Sequence, residues 1–334
     1  MNGRLEHSIR TNNNIQNILK DMPPYMTEYY YSITSSTEPK TCEDYIRKIK
    51  NFLLFLNKNI HKIDLMSITD TDVGRYMQSI QTRVVDDQRV LTSFSYQKCV
   101  WTALNGFFNY IYQKNYISSN PMNIIRRPNK EDDVKHYALN IDDINKIISQ
   151  VNIGAGSEYA KSRQKNWIKR DIAIFKLFIC TGMRNAALSE INISDIDFDE
   201  NTIKVTDKRN KKHVYYLQDK LRESLIDWIN QRNKILNYSN NTDALFISMQ
   251  KNRMSEKAIS NVIGKYSEEI LGYKISPHKL RAVFGVTYYN ASNGDIKATM
   301  EAMGHSSVTT TQRYINNKNN ARMESSVILN NLII

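Results

Sequence analysis

From Arg126 to Asp133 the chain reads Arg-Arg-Pro-Asn-Lys-Glu-Asp-Asp, a stretch without apolar periodicity between two long tracts of helical pattern. A segment with nothing to bury gains nothing from a core. It therefore reads as a linker, assigned to 126–136, and each flank must build a core of its own. A chain of 334 residues is long enough for two. Upstream, residues 1–22 are polar, carry Asn12, Asn13 and Asn14, and precede Pro23-Pro24; they form either a flexible arm or a short helix. Residues 23–125 carry helical stripes. Thr41 and Asp44 have capping-box spacing ahead of Tyr45, Ile49, Phe52, Leu53 and Leu56. Thr69 with Asp72 repeats the signal before Val73, Tyr76, Met77 and Ile80. A third stripe over 96–112 aligns Val100, Ala103, Leu104, Phe107, Phe108 and Ile111. Asn120-Pro121 supplies its stop, because the residue before proline disfavours helix.

Residues 137–334 form the second domain. Asn140 is placed to cap a helix carrying Ile141, Ile144, Ile147, Ile148 and Val151, and 167–180 reads as a mostly buried helix. The period changes over 202–217. Ile203 and Val205 alternate with polar residues, Asp207-Lys208-Arg209-Asn210-Lys211-Lys212 follows, and Val214-Tyr215-Tyr216-Leu217 completes a pair of short strands around a basic turn. Helical patterns return at 221–236, 257–271, 277–289 and 296–303. The expected fold class is mainly α with a small β-sheet.

Lys and Arg total 46 against 34 acidic residues, a formal charge of +12. The excess points to a polyanion, nucleic acid first and an acidic membrane surface second; charge alone also fits a basic protein with no acidic partner. Cys42, Cys99 and Cys180 show neither metal-ligand nor CxxC spacing and sit among apolar neighbours, so buried free thiols in a reducing cytoplasm are expected. Met1 is not followed by a signal-peptide core, and the longest apolar stretches, 52–56 and 173–180, are too short to span a bilayer.

The chemistry-bearing residues gather in the second domain. They are Thr181-Gly182-Met183-Arg184, Ser276-Pro277-His278-Lys279-Leu280-Arg281, Met303-Gly304-His305-Ser306-Ser307 and Thr311-Gln312-Arg313-Tyr314. Attack on a phosphodiester builds charge on its non-bridging oxygens, and preorganised donors lower that barrier. Arginine suits the task, because its planar fork stays charged and can bind two oxygens. Histidines add hydrogen bonds or move protons. A phenol is a weak acid and needs such neighbours to become a nucleophile. Tyr314 is one of twenty tyrosines, and what singles it out is its place nine positions after His305 within Thr309-Thr310-Thr311-Gln312-Arg313-Tyr314.

Together these residues resemble the tyrosine recombinase family, the phage integrases and their transposon relatives. Thr181 to Arg184 matches the family's Thr-Gly-x-Arg, His278 to Arg281 its His-x-x-Arg, Gly304 to Ser307 its Leu-Gly-His-Ser segment, and Tyr314 its terminal motif. The resemblance implies a helical, SAM-like core-binding domain at 23–125 and a mixed α+β catalytic domain at 137–334. It implies a catalytic set of Arg184, Lys208, His278, Arg281, His305 and the nucleophile Tyr314. Lys208, on the hairpin turn, is the expected general acid, with Lys211 as a rival because turns slip in register. The implied function is that of a site-specific DNA recombinase of integrase or transposase type, which cuts and rejoins DNA through a 3′-phosphotyrosyl intermediate without ATP or metal. Double-stranded DNA is the implied partner, bound by a homotetramer acting on two sites, with accessory DNA-bending proteins as further candidates; a membrane is not a partner. No cofactor is implied, since neither a carboxylate cluster nor a phosphate-cradling glycine loop is visible.

Two positions depart from the family pattern. Ala187 stands where an acid is common, with Glu190 a candidate substitute, and Ala282 stands where a histidine is common. The rivals are a type IB topoisomerase-like enzyme and a DNA-binding protein of the same fold that has lost catalysis. The apolar end, Val327-Ile328-Leu329 with Leu332-Ile333-Ile334, docks either on a neighbouring protomer or on its own domain.

Overall fold

A computed structural model describes residues 3–57, 63–85, 87–129, 139–207, 211–237, 242–305, 307 and 311–312. The chain forms two compact units that divide between residues 135 and 136.

The first unit comprises α1 (Gly3–Leu19), α2 (Pro24–Ile33), α3 (Pro39–Leu56), α4 (Asp70–Ser79), a hairpin of β1 (Thr82–Val85) and β2 (Gln88–Leu91), and α5 (Phe94–Gln113). α1 buries Ile15, Ile18 and Leu19, and Met22 follows them into the core shared with α3 and α5. Asn12 and Asn13 face solvent on α1's other side. α3 starts earlier than the Thr41 signal implied. Pro39 occupies its first turn and Glu38 is its N-cap without a side-chain bond, since proline needs no partner for a missing N–H; Asp44 pairs instead with Lys48. The Thr69–Asp72 capping box forms as expected, with Thr69 Oγ1 accepting from Asp72 N at 3.2 Å. α5 ends well before Asn120-Pro121, where Asn115 takes a left-handed φ of 58°. Asn120 ties down the following segment by donating to Asn109 Oδ1 at 2.7 Å, and Trp101 Nε1 donates to Ile125 O at 2.8 Å. The core is aromatic: Phe52 stands edge-on to Phe108 (5.7 Å) and Tyr76 (5.2 Å), and Tyr29 edge-on to Phe107 (5.5 Å).

The second unit holds α6 (Ile141–Ile153), α7 (Glu158–Gln164), α8 (Ile168–Thr181), α9 (Asn185–Glu190), β3 (Ile196–Asp197), β4 (Thr202–Asp207), β5 (Lys211–Tyr216), α10 (Asp219–Leu236), α11 (Glu256–Leu271), α12 (Pro277–Ala291) and α13 (Ile296–Ala302). α8 is the hub, packed by α6, α10, α11 and α12. Its Phe175 and Phe178 are fully buried, as are Trp228 of α10 and Tyr266 of α11. One polar cluster crosses this core. Asp171, fully buried, accepts from Tyr266 Oη at 2.9 Å and pairs with Arg170 and Lys265, so its charge is compensated where desolvation is complete. β3, β4 and β5 form an antiparallel sheet in that order, with Ile203 opposite Tyr215 and Val205 opposite His213. Of the three cysteines only Cys42 is buried. Cys99 and Cys180 are exposed, because each falls on the outward side of its helix despite apolar sequence neighbours. Among the described residues no helix is long and apolar enough to cross a membrane.

Candidate active site

Three chain turns converge in the second unit, and each carries part of the expected set. The first ends α8. Thr181 Oγ1 donates back to Leu177 O at 2.6 Å, and Gly182 then adopts φ 59°, its N–H bonded to Phe178 O at 2.9 Å. Glycine is required here twice over. The φ is left-handed, and a Cβ would lie 2.7 Å from Phe284 Cε1 and closer still to Cδ1, so α12 passes directly against the turn. Two residues later Arg184, half-buried at the N-cap of α9, donates from Nη2 to Gly304 O at 3.2 Å.

The second turn opens α12. Pro277 sits in the first turn, and His278 and Arg281, three apart, share one face. Arg281 is 2% exposed. Its Nη1 donates to Gly182 O and its Nη2 to Met303 O. Both acceptors are carbonyls just beyond helix C-termini, where the backbone dipoles leave partial negative charge. One guanidinium thus fastens the end of α8 to the end of α13.

The third turn follows α13. Gly304 adopts φ 60°, with its N–H on Glu301 O at 2.9 Å and the His305 N–H on Met300 O at 3.0 Å, a glycine-terminated helix end. His305, half-buried, holds Nδ1 2.8 Å from the hydroxyl of Thr311, which is itself fully buried. Loss of solvation pushes the His305 pKa from 6.5 down to about 4, assisted by the positive charges of Arg281 and Arg184 and by His278. His278 is likewise lowered, by loss of solvation first and then by Arg281, Lys279 and Arg184. Both imidazoles are therefore neutral near pH 7, and the site's fixed charge comes from its arginines.

Arg184, His278, Arg281 and His305 are thus brought within electrostatic reach of one another. Lys208 and Tyr314 lie outside the described residues. The hairpin that carries Lys208 is described up to Asp207 and again from Lys211, in antiparallel register. Thr311, three positions before Tyr314, is the point at which the terminal segment meets His305. Ala187 is buried against the core of the unit. Two residues escaped the sequence reading. The hydroxyl of Tyr215 feels both Arg281 and Arg184, although burial outweighs them and raises its pKa. The ring of His213 lies over Gly304. The signal was present in the alternation: Ile203 and Val205 are inward, and antiparallel pairing puts Tyr215 and His213 on the same face.

Residues 135–321 match the sequence profile of the Phage integrase family. A tyrosine recombinase XerC from Caldanaerobacter subterraneus is 29% identical over 311 residues, covering 87% of this chain and 82% of that protein. One from Pediococcus pentosaceus is 26% identical, covering 85% and 90%. The fold is similar to that of a lambda integrase dimer bound to a core site (TM-score 0.62, 17% identity, 88% of this chain and 95% of that one). It is also similar to XerH site-specific recombinase bound to its difH substrate (TM-score 0.59, 18% identity, 86% and 79%). The chain belongs to the phage integrase family of tyrosine recombinases.

Proposed function

We propose that this protein is a site-specific recombinase that cuts and rejoins double-stranded DNA, with Tyr314 as nucleophile and Arg184, Arg281, His278, His305 and Lys208 around the scissile phosphate. The phenolic oxygen of Tyr314 attacks phosphorus as the bond from phosphorus to the 5′-oxygen breaks. The phenol proton passes to a neighbouring base, and Lys208 delivers a proton to the departing 5′-oxygen. A 3′-phosphotyrosyl ester results. Attack by the 5′-hydroxyl of a partner strand reverses the step, so the bond is conserved and ATP is not consumed. Arg184 and Arg281 hold the charge that develops on the non-bridging oxygens, and the neutral histidines supply hydrogen bonds. The observation that carries this reading is that both guanidinium groups bond the backbone of a single turn, Met303-Gly304, next to His305.

The net charge of +12 supports DNA as partner, since each phosphate neutralised releases counterions. A homotetramer on two DNA sites, in the cytoplasm and assisted by accessory DNA-bending proteins, is the working assembly in this reading. The related lambda integrase has been solved as a tetramer on a Holliday junction. The test is a nicked suicide duplex carrying the cognate site. Wild type should form a denaturant-resistant covalent adduct, and Tyr314→Phe should bind DNA equally well and form none. An adduct persisting in Tyr314→Phe refutes the nucleophile assignment, and no adduct with wild type on its true site refutes catalysis.

A further inference from the structure

β5 runs past the Gly304 turn, and its inward face carries Tyr215 and then His213, their rings 6.3 Å apart. The His213 ring occupies the space a side chain at residue 304 would need. A Cβ there would lie 3.0 Å from His213 Cε1, 3.5 Å from Nε2 and 3.6 Å from Nδ1. These distances place the ring directly beside the α-carbon of Gly304. The same turn accepts Arg184 at Gly304 O and Arg281 at Met303 O, and leads into His305. Glycine at 304 meets two demands at once, a left-handed φ of 60° and room for an imidazole. The ring therefore stands where a tilt of the turn toward the strand would carry Gly304.

We propose that His213 is a positioning residue for the recombination reaction, a ring seated on Gly304 that fixes the turn to which Arg184 and Arg281 are bonded. The inference rests on the reading that this arginine cluster binds the scissile phosphate. His213 acts through the turn, and its effect is transmitted to the guanidinium groups of Arg184 and Arg281. Displacement of a phosphate-binding group by about 1 Å costs roughly 10²-fold in rate. His213→Ala should therefore lower single-turnover cleavage of a suicide duplex by about 10- to 100-fold, with DNA affinity and the urea midpoint close to wild type. His213→Phe, which keeps a flat ring over the turn, should recover most of the rate.

A double-mutant cycle with Arg184→Ala supplies the readout that a merely structural role would not move. If His213 works through the Gly304 turn, adding His213→Ala to Arg184→Ala should cost less than it costs wild type, because one of the two groups bonded to the turn is gone. Full multiplicative losses overturn the proposal, as does a His213→Ala enzyme that cleaves at the wild-type rate. Failure of His213→Phe to recover activity while folded also overturns it. A duplex with a 5′-bridging sulfur, which leaves without needing a proton, should not rescue His213→Ala. Rescue would assign the residue to proton delivery instead. Should Arg184→Ala itself cleave normally, the fault lies with the phosphate-binding reading and not with His213.

Discussion

The depressed basicity of His305 makes a stability prediction that can be worked through. Its pKa falls from 6.5 to about 4 in the folded chain because the ring is desolvated beside Arg281 and Arg184. Between these values the unfolded chain holds a proton that the folded chain refuses. The unfolded state therefore binds more protons, and stability declines as pH falls from about 6.5 toward about 4. At about 1.4 kcal/mol per pH unit, the ceiling is about 3 kcal/mol. The ring is only half-buried, and solvent screening reduces this to about 1–2 kcal/mol. His305→Gln keeps a polar group of similar length near Thr311 but cannot titrate. Urea unfolding at pH 7.5 and pH 4.5 should show wild type losing about 1–2 kcal/mol more than His305→Gln over that interval. Background carboxylates titrate in both proteins and cancel in the difference, as does His278 apart from its repulsion with His305. Equal losses would show that His305 is well solvated and that the three turns do not enclose it.

Gly182→Ala should destabilise the second unit by at least about 2 kcal/mol in urea, since it adds left-handed strain to a clash with the Phe284 ring; a loss under about 0.5 kcal/mol would refute the close approach of α12 to the end of α8. Thr311→Val keeps volume but removes the hydroxyl 2.8 Å from His305 Nδ1. It should slow single-turnover cleavage by about five- to tenfold with unchanged DNA affinity, and an unaltered rate would show that the Thr311 bond does not orient the ring.

The helical framework was legible because burial imposes a period. The stripes of α3, α5 and α6 show as single apolar faces, and Ile144, Ile147 and Val151 are buried as that period requires. Boundaries were less legible where two signals compete, as at α3, where Pro39 starts the helix upstream of Thr41. The β1–β2 hairpin left no signal. Val84 is 66% exposed and Leu91 82%, so neither face is buried and alternation has nothing to record. In the site, Arg184, His278, Arg281 and His305 were found from local motifs. His213 was not, because its role depends on a strand register that brings residue 213 to residue 304 across the fold.

The way Arg281 is held bears on how the site keeps its charge. Gly182 O and Met303 O meet its guanidinium with partial charges at helix ends. They fix the fork in place and leave a net positive field. Burial first, and then that field, keep His305 and His278 neutral before DNA arrives. An incoming phosphate supplies the opposite charge and should draw both imidazoles back toward ordinary basicity, so that a larger share of each is protonated and donates a charged hydrogen bond to that anion. The two left-handed glycines are therefore part of the electrostatics as well as the fold. Each turns a helix end so that its carbonyl meets an arginine, and the arginines can then remain charged and in register at a buried site.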